Sequence, residues 1–322
     1  MKPMTAMKPE EAEQFIAQGV FVTRQKVAIM KRLVLNHGTL EAALRELDAA
    51  SPPTVILHQD ADPTPMLRKA SEYISYSLAG CQAIWELIHA GIFVQLSSEL
   101  TQFNATVQYT PGQGMGGWSG GWRFEKSGRF ESAYPSRFVK SRLSDRDQVL
   151  ADPDLYLQRL SLPNLHQKIE DALRDAVRCF RAELFVPSLV MLGKASEGVW
   201  IELGVALAGV AGPDDAKAKK LAEGVVGPEM GFARKLREIL SFYEGRQSTF
   251  KPLSQQVGVG LEDVRTAMLW SDTLRDARNA IHHRVSTSTD ASYEIVATLL
   301  LAAVPHLQTI HLLKEVARQS VP

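Results

Sequence analysis

Within the run Arg275-Asp276-Ala277-Arg278-Asn279-Ala280-Ile281-His282-His283-Arg284 the chain gathers guanidinium and imidazole groups at short spacing. Imidazole titrates nearest neutral pH, so a histidine here is able to take or give a proton. An arginine fork offers fixed, permanently charged donors to an anion. Together the two side chains suit a reaction that moves a proton while negative charge builds on phosphate oxygens. The same residues also fit a plainer role, because cations near a helix C-terminus oppose the negative end of its dipole. Register matters here. On a regular helix Arg278 and His282 stand i,i+4 and share a face, whereas Arg278 and His283 stand i,i+5 and do not align. Either the helix ends near His283, or two subunits complete one site. His282 reads as a packing or supporting residue.

These residues must be positioned by helices, and the spacing predicts them from Pro163 to the end of the chain. Leu165, Ile169, Leu173, Val177 and Phe180 recur at a helical period. Pro187 suits the first turn of a second helix, expected to run to about Ala208 before Gly209 to Asp215 ends it. Shorter helices are expected over Asp214 to Leu221 and Phe232 to Tyr243, and long ones over Gly260 to His283 and Asp290 to Val316. Short connections make antiparallel neighbours, so residues 160–322 are expected to form an antiparallel helical bundle.

Residues 1–150 read as a second, helical domain carrying a small β-hairpin. Helices are expected over Pro9 to Gln18, Val22 to Leu35 and Thr39 to Ala49, then over Met66 to Leu78 and Gly80 to Ala90. Strands are expected over Ile92 to Leu96, Thr106 to Tyr109 and Gly121 to Phe124. Helices followed by a hairpin give the outline of a winged helix, with Pro111 to Gly121 as the wing. Gly112 to Gly117 fits G-x-G-x-x-G, but Trp118-Ser119-Gly120-Gly121-Trp122 follows where a dinucleotide site requires a helix, so a hairpin tip is the reading. Trp118 and Trp122 suit either base stacking or hairpin packing. Phe130 to Asp152, polar and basic, reads as a linker or irregular cover.

The segment Arg278-Asn279-x-x-x-His283, set between two long helices, resembles the R-N-x-x-x-H pattern of HEPN domains. Upstream, Arg174 to Leu203 (RDAVRCFRAELFVPSLVMLGKASEGVWIEL) is similar to the helix pair that precedes the motif in that family. Glu197 sits where family members often hold an acid. The resemblance covers roughly residues 160–320. It implies a mainly α fold and a metal-independent endoribonuclease that uses the 2′-OH of RNA as nucleophile. It further implies His283 as general acid or base, Arg278 as the stabiliser of the transition-state charge, and Asn279 and Glu197 as orienting residues, with Glu197 a candidate partner of Arg278. Family members commonly form homodimers with their motifs facing across the interface. They occur in toxin–antitoxin and anti-phage defence settings, which implies an antitoxin or regulatory protein partner.

Composition limits the alternatives. In 322 residues Lys+Arg and Asp+Glu both number 36, so no global charge draws in nucleic acid, and any such site must be a local basic patch with salt-sensitive affinity. Two cysteines, Cys81 and Cys179, lie far apart, and no Cys/His cluster with zinc spacing occurs; neither metal nor cofactor is expected. The N-terminus shows no apolar signal segment and Ile295 to Pro305 is too short to span a bilayer, so the expected location is the cytoplasm, away from membranes. The run Lys217, Lys219, Lys220 reads as a solvated helix face. Two rivals to the ribonuclease reading stand. One is a non-catalytic dimerisation or binding module. The other is a DNA-binding regulator using the N-terminal domain, weakened by the absence of Lys or Arg from Gly80 to Ala90.

Overall fold

The computed structural model describes residues 7–49, 53–57, 62–103, 105–111, 120–123, 130, 132–283 and 291–321; the side chains at 111, 122–123, 145–146 and 278–283 also lie outside the description. The protein is mainly α-helical, with thirteen helices and a few short strands among these residues. The chain divides into two compact units, Met1–Leu143 and Ser144–Pro322.

The first unit opens with α1 (Pro9–Gly19), α2 (Arg24–His37) and α3 (Leu40–Glu46), followed by β1 (Val55–Leu57) and the long α4 (Thr64–His89). Thr23 and Thr39 cap α2 and α3, their hydroxyls accepting from the backbone N–H of Lys26 and Ala42. The sequence suggested a break in α4 near Gly80, but the helix runs through it. A Cβ on Gly80 would stand 2.2 Å from Leu40 Cδ1, so this glycine marks a close helix approach and not a helix end. Lys31, fully buried on α2, is neutralised by Glu86 of α4.

Six further strands follow: β2 (Phe93–Gln95), β3 (Leu100–Phe103), β4 (Thr106–Pro111), β5 (Gly120–Arg123), β6 (Ser132–Pro135) and β7 (Phe138–Lys140). β4 and β5 form the expected hairpin, with β1 added in parallel on β4 through Val55↔Tyr109. β2 pairs with β7 and β3 with β6, both antiparallel. The glycine loop with Trp118 lies outside the described residues, as does the side chain of Trp122. Leu67, Ala70 and Ile74 of α4 share a core with Ala12 and Ile16 of α1, and with Val55, Leu57 and Val107 of the sheet.

The second unit contains α5 (Asp145–Ala151), α6 (Pro153–Leu160), α7 (Gln167–Arg181), α8 (Phe185–Ala211), α9 (Ala216–Val226), α10 (Phe232–Glu244), α11 (Gln247–Gln256), α12 (Leu261–His283) and α13 (Tyr293–Gln319). Residues 132–151 are therefore not a linker: they hold β6, β7 and α5. The bundle begins at Ser144, whose hydroxyl caps α5, and Asp152 then caps α6 ahead of Pro153 at its first position. The Tyr156 hydroxyl donates to the Leu300 carbonyl at 2.8 Å, and Leu150, Tyr156 and Leu160 join the bundle's core.

α8 is the central element, packing against α7, α9, α10, α12 and α13. It is apolar nearly all round, as a helix surrounded by others must be. Gly198 lets α7 approach closely; a Cβ there would stand 2.7 Å from Ile169 Cγ1. Among the described residues one helix, α13, is long and apolar enough to cross a membrane. It is packed against α8, α12 and α11, and its buried face carries His311 and Lys314.

Candidate functional site

The site expected from sequence rests on α12. Glu262 and Asp263 occupy its first turn, where acids suit the positive end of the dipole, and Asp263 Oδ2 accepts from the Gly260 N–H at 2.7 Å. Val264, Ala267, Trp270, Ser271 and Leu274 are buried along one face. Ser271 fixes that face against α8. Its hydroxyl accepts from Trp200 Nε1 at 2.9 Å and from Ser196 Oγ at 3.0 Å, and donates to the Ala267 carbonyl at 2.9 Å. One donor and two acceptor positions are all a hydroxyl has, so the buried network is complete. On the α13 side Trp270 stacks on His306 with ring centroids 5.4 Å apart, and burial lowers the pKa of that imidazole.

α13 is set by its own start. Ser292 caps it, and Tyr293 packs on Phe180 of α7 and on Phe185 of α8, with centroids 4.9 and 6.4 Å away. The turn between α7 and α8 requires Glu183 in the left-handed region at φ 58°, and Ser188 Oγ donates across it to the Ala176 carbonyl at 2.8 Å. Both helices that flank the motif are thus anchored to the α7–α8 pair. Residues 284–290, which join them, lie outside the described residues.

Arg278, Asn279 and His283 are placed as backbone on the last described turns of α12, and their side chains lie outside the description. Arg278 follows Leu274 by four residues and Ser271 by seven, which is the register of the face held on α8. α12 is described as helix through His283, so positions 278 and 283 stand about 140° apart around its axis at roughly 100° per residue. Arg275, the one arginine of the segment whose side chain is described, is committed to neighbouring acids. It bonds Asp272 at 2.8 Å and Asp276 at 2.6 Å, and the Asp276 hydrogen bond holds its guanidinium pKa above the usual value.

Glu197 has a described partner on α10. Its carboxylate is bound by Lys235 Nζ of α10 at 3.1 Å, and that lysine is almost wholly buried. Glu197 therefore serves a structural ion pair to α10, and the expected pairing with Arg278 falls on a side chain outside the described residues. The signal was present in the sequence. Phe232, Lys235, Leu236, Ile239 and Phe242 follow one helical stripe, so Lys235 had to be buried and had to find an acid. The same logic applies to Lys314 on the apolar face of α13. It is fully buried and meets Glu202 of α8 at 3.0 Å and Glu315 at 2.9 Å. Asp154, also buried, binds Arg174, which Glu170 holds from the other side. These carboxylates are engaged by cations of the bundle itself. Cys81, a further polar group of the first unit, is buried, and burial raises its thiol pKa to about 11, which makes it a poor nucleophile.

Comparison with protein-family models, with curated proteins and with solved structures returns no match to this chain.

Proposed function

We propose that this chain is a metal-independent endoribonuclease of HEPN type. The observation that carries the reading is the R-N-x-x-x-H pattern on the last described turns of α12, a long helix packed between α8 and α13 of a helical bundle. In this reading the RNA 2′-OH attacks the adjacent phosphorus and the bond from phosphorus to the 5′ oxygen breaks. His283 moves the proton, taking it from the 2′-OH or giving it to the leaving oxygen. Arg278 holds the equatorial oxygens as their charge grows, and Asn279 orients the histidine or the phosphate. Glu197 holds α10 to α8 through Lys235, and its orienting role toward Arg278 belongs to the same proposal.

One feature supports a homodimer with a shared cleft. Positions 278 and 283 do not fall on one face of α12, and a two-fold axis would bring the histidine of one subunit to the arginine of the other. A cytoplasmic toxin or defence effector, restrained by a protein partner, is the setting the family resemblance implies.

The test uses RNA in excess chelator, including an oligonucleotide carrying a single 2′-deoxy nucleotide at a mapped cut site. Cleavage should persist without divalent metal, stop at the deoxy position, and leave a 2′,3′-cyclic phosphate and a 5′-OH. Cleavage that continues at the deoxy position would contradict the mechanism. A wild type inert on every RNA would leave the bundle as a dimerisation or binding module.

A further inference from the structure

The protein has no net charge, so a strand of RNA needs a local concentration of cations to hold it. The bundle has one away from the α12 motif. A recess of about 450 Å3 opens beside α9 and α10, bordered by Lys217, Lys220, Arg234 and Arg246, with Glu238 as the acid on its rim. A second recess of about 300 Å3 adjoins it, sharing Arg234, Glu238 and Ser241 and adding Arg237. Leu221 and Phe242, both buried, also line the larger recess.

Most of these cations are unspent. Among the described residues neither Lys217 nor Lys220 has an acidic partner, and Arg237 bonds only the Ala233 carbonyl at 3.3 Å. Arg234 meets Glu238 loosely at 3.7 Å. Arg246 alone is committed: it donates to Asp215 at 2.6 Å and lies over the Phe242 ring at 4.0 Å. Asp215 also caps α9, so that ion pair fixes the border of the recess. Five cations against Glu238 and Asp215 leave a clear positive excess in a chain that is neutral as a whole.

The layout favours a strand over a small anion. Lys217 and Lys220 stand one turn apart on α9, as Arg234 and Arg237 do on α10, so each helix presents successive charges along a track. The two recesses adjoin, sharing Arg234, Glu238 and Ser241 of α10. The track is also tied to the motif helix. One turn of α8 holds α10 through Glu197 and Lys235 and holds α12 through Ser196 and Ser271. The backbone of Arg278 lies about 10 Å along α12 from that turn at about 1.5 Å per residue.

We infer that the α9–α10 groove binds the sugar-phosphate backbone of the RNA substrate, with Lys217, Lys220, Arg234 and Arg237 on successive phosphates. This rests on the ribonuclease reading for the identity of the polyanion, but its test reads binding and not cleavage. The probe is a short, unstructured, fluorescently labelled RNA, titrated by anisotropy against the full-length His283→Ala protein at several salt concentrations. Adding Lys217→Glu and Lys220→Glu should weaken binding about tenfold or more at low salt, and flatten the salt slope by about 0.7 for each phosphate no longer neutralised. Restoring positive charge as Lys217→Arg and Lys220→Arg should return both, and the melting curve should not change, since both lysines are exposed.

Unchanged affinity and salt slope in the charge-reversed protein would overturn the proposal. Displacement of the RNA by inorganic phosphate or a mononucleotide at concentrations comparable to the RNA would overturn it in favour of a small-anion pocket. The two readings fail separately. RNA held in the groove but left uncut by wild type removes the ribonuclease and keeps the groove. RNA cut with unchanged KM by the charge-reversed protein, with His283 intact, removes the groove and keeps the ribonuclease.

Discussion

Arg234 and Lys235 are neighbours in sequence and opposites in environment. Lys235 is turned into the bundle, where Glu197 of α8 neutralises it; Arg234 is exposed on the rim of a recess and meets its nearest acid at 3.7 Å. The contrast extends to the regions around them. Beside α8 the cations Lys235, Lys314 and Arg174 are buried or half-buried and each is answered by a carboxylate. Along α9 and the outer face of α10, Lys217, Lys220 and Arg237 are exposed with no carboxylate bound among the described residues. A buried charge has lost its water and must be matched inside the protein, so its pairing is structural. An exposed, unmatched charge keeps its water and gives little to stability, so it is available to a ligand that brings its own negative charge.

That difference is open to direct attack. Glu197→Ala would strand the buried ammonium of Lys235 and should destabilise the protein by about 3 kcal/mol, the low end for breaking a buried pair because Glu197 is itself partly exposed. Urea unfolding measures it, and adding Lys235→Met should recover most of the loss. If Glu197→Ala unfolds at the wild-type midpoint, the pair is not structural and the contrast between the two regions fails. Ser271→Ala should be next in size, at about 2 kcal/mol, because Trp200 Nε1 and Ser196 Oγ would both lose a buried acceptor. A change in tryptophan fluorescence before global unfolding would show that the α8–α12 seam loosens first. The smallest effect belongs to the groove. Lys217→Ala with Lys220→Ala should change stability by no more than about 0.5 kcal/mol in thermal melts. A larger loss would assign those lysines a structural role and erase the distinction.

Much of this organisation was legible in the sequence, and the parts that were not have physical reasons. The long helices α7, α8, α12 and α13 announce themselves by apolar residues at helical spacing, and their observed bounds depart from the expected ones mainly at the ends. α5 and α6 are too short for periodicity to show, although Ser144 and the Asp152-Pro153 pair mark their starts. Gly80 looked like a break because a glycine in a helix is unfavourable in isolation, and only the approach of Leu40 explains its presence. The pairing of β1 with β4 joins residues separated by the whole of α4, which no local pattern encodes. At the candidate site the motif positions could be read directly. That Lys235 binds Glu197 could not be, since only packing brings α10 to that turn of α8. The lysine on an otherwise apolar stripe was nevertheless a usable sign that an acid had to meet it.

Whether α12 carries the chemistry is decided by setting wild type against Arg278→Ala and His283→Ala on a single-stranded RNA in excess chelator, with melting curves recorded for all three. Wild type should cut, each variant should fall by about 10²–10⁴-fold, and all three should melt alike. Variants that melt alike and cut as fast as wild type would contradict the ribonuclease assignment and take the chemistry away from α12.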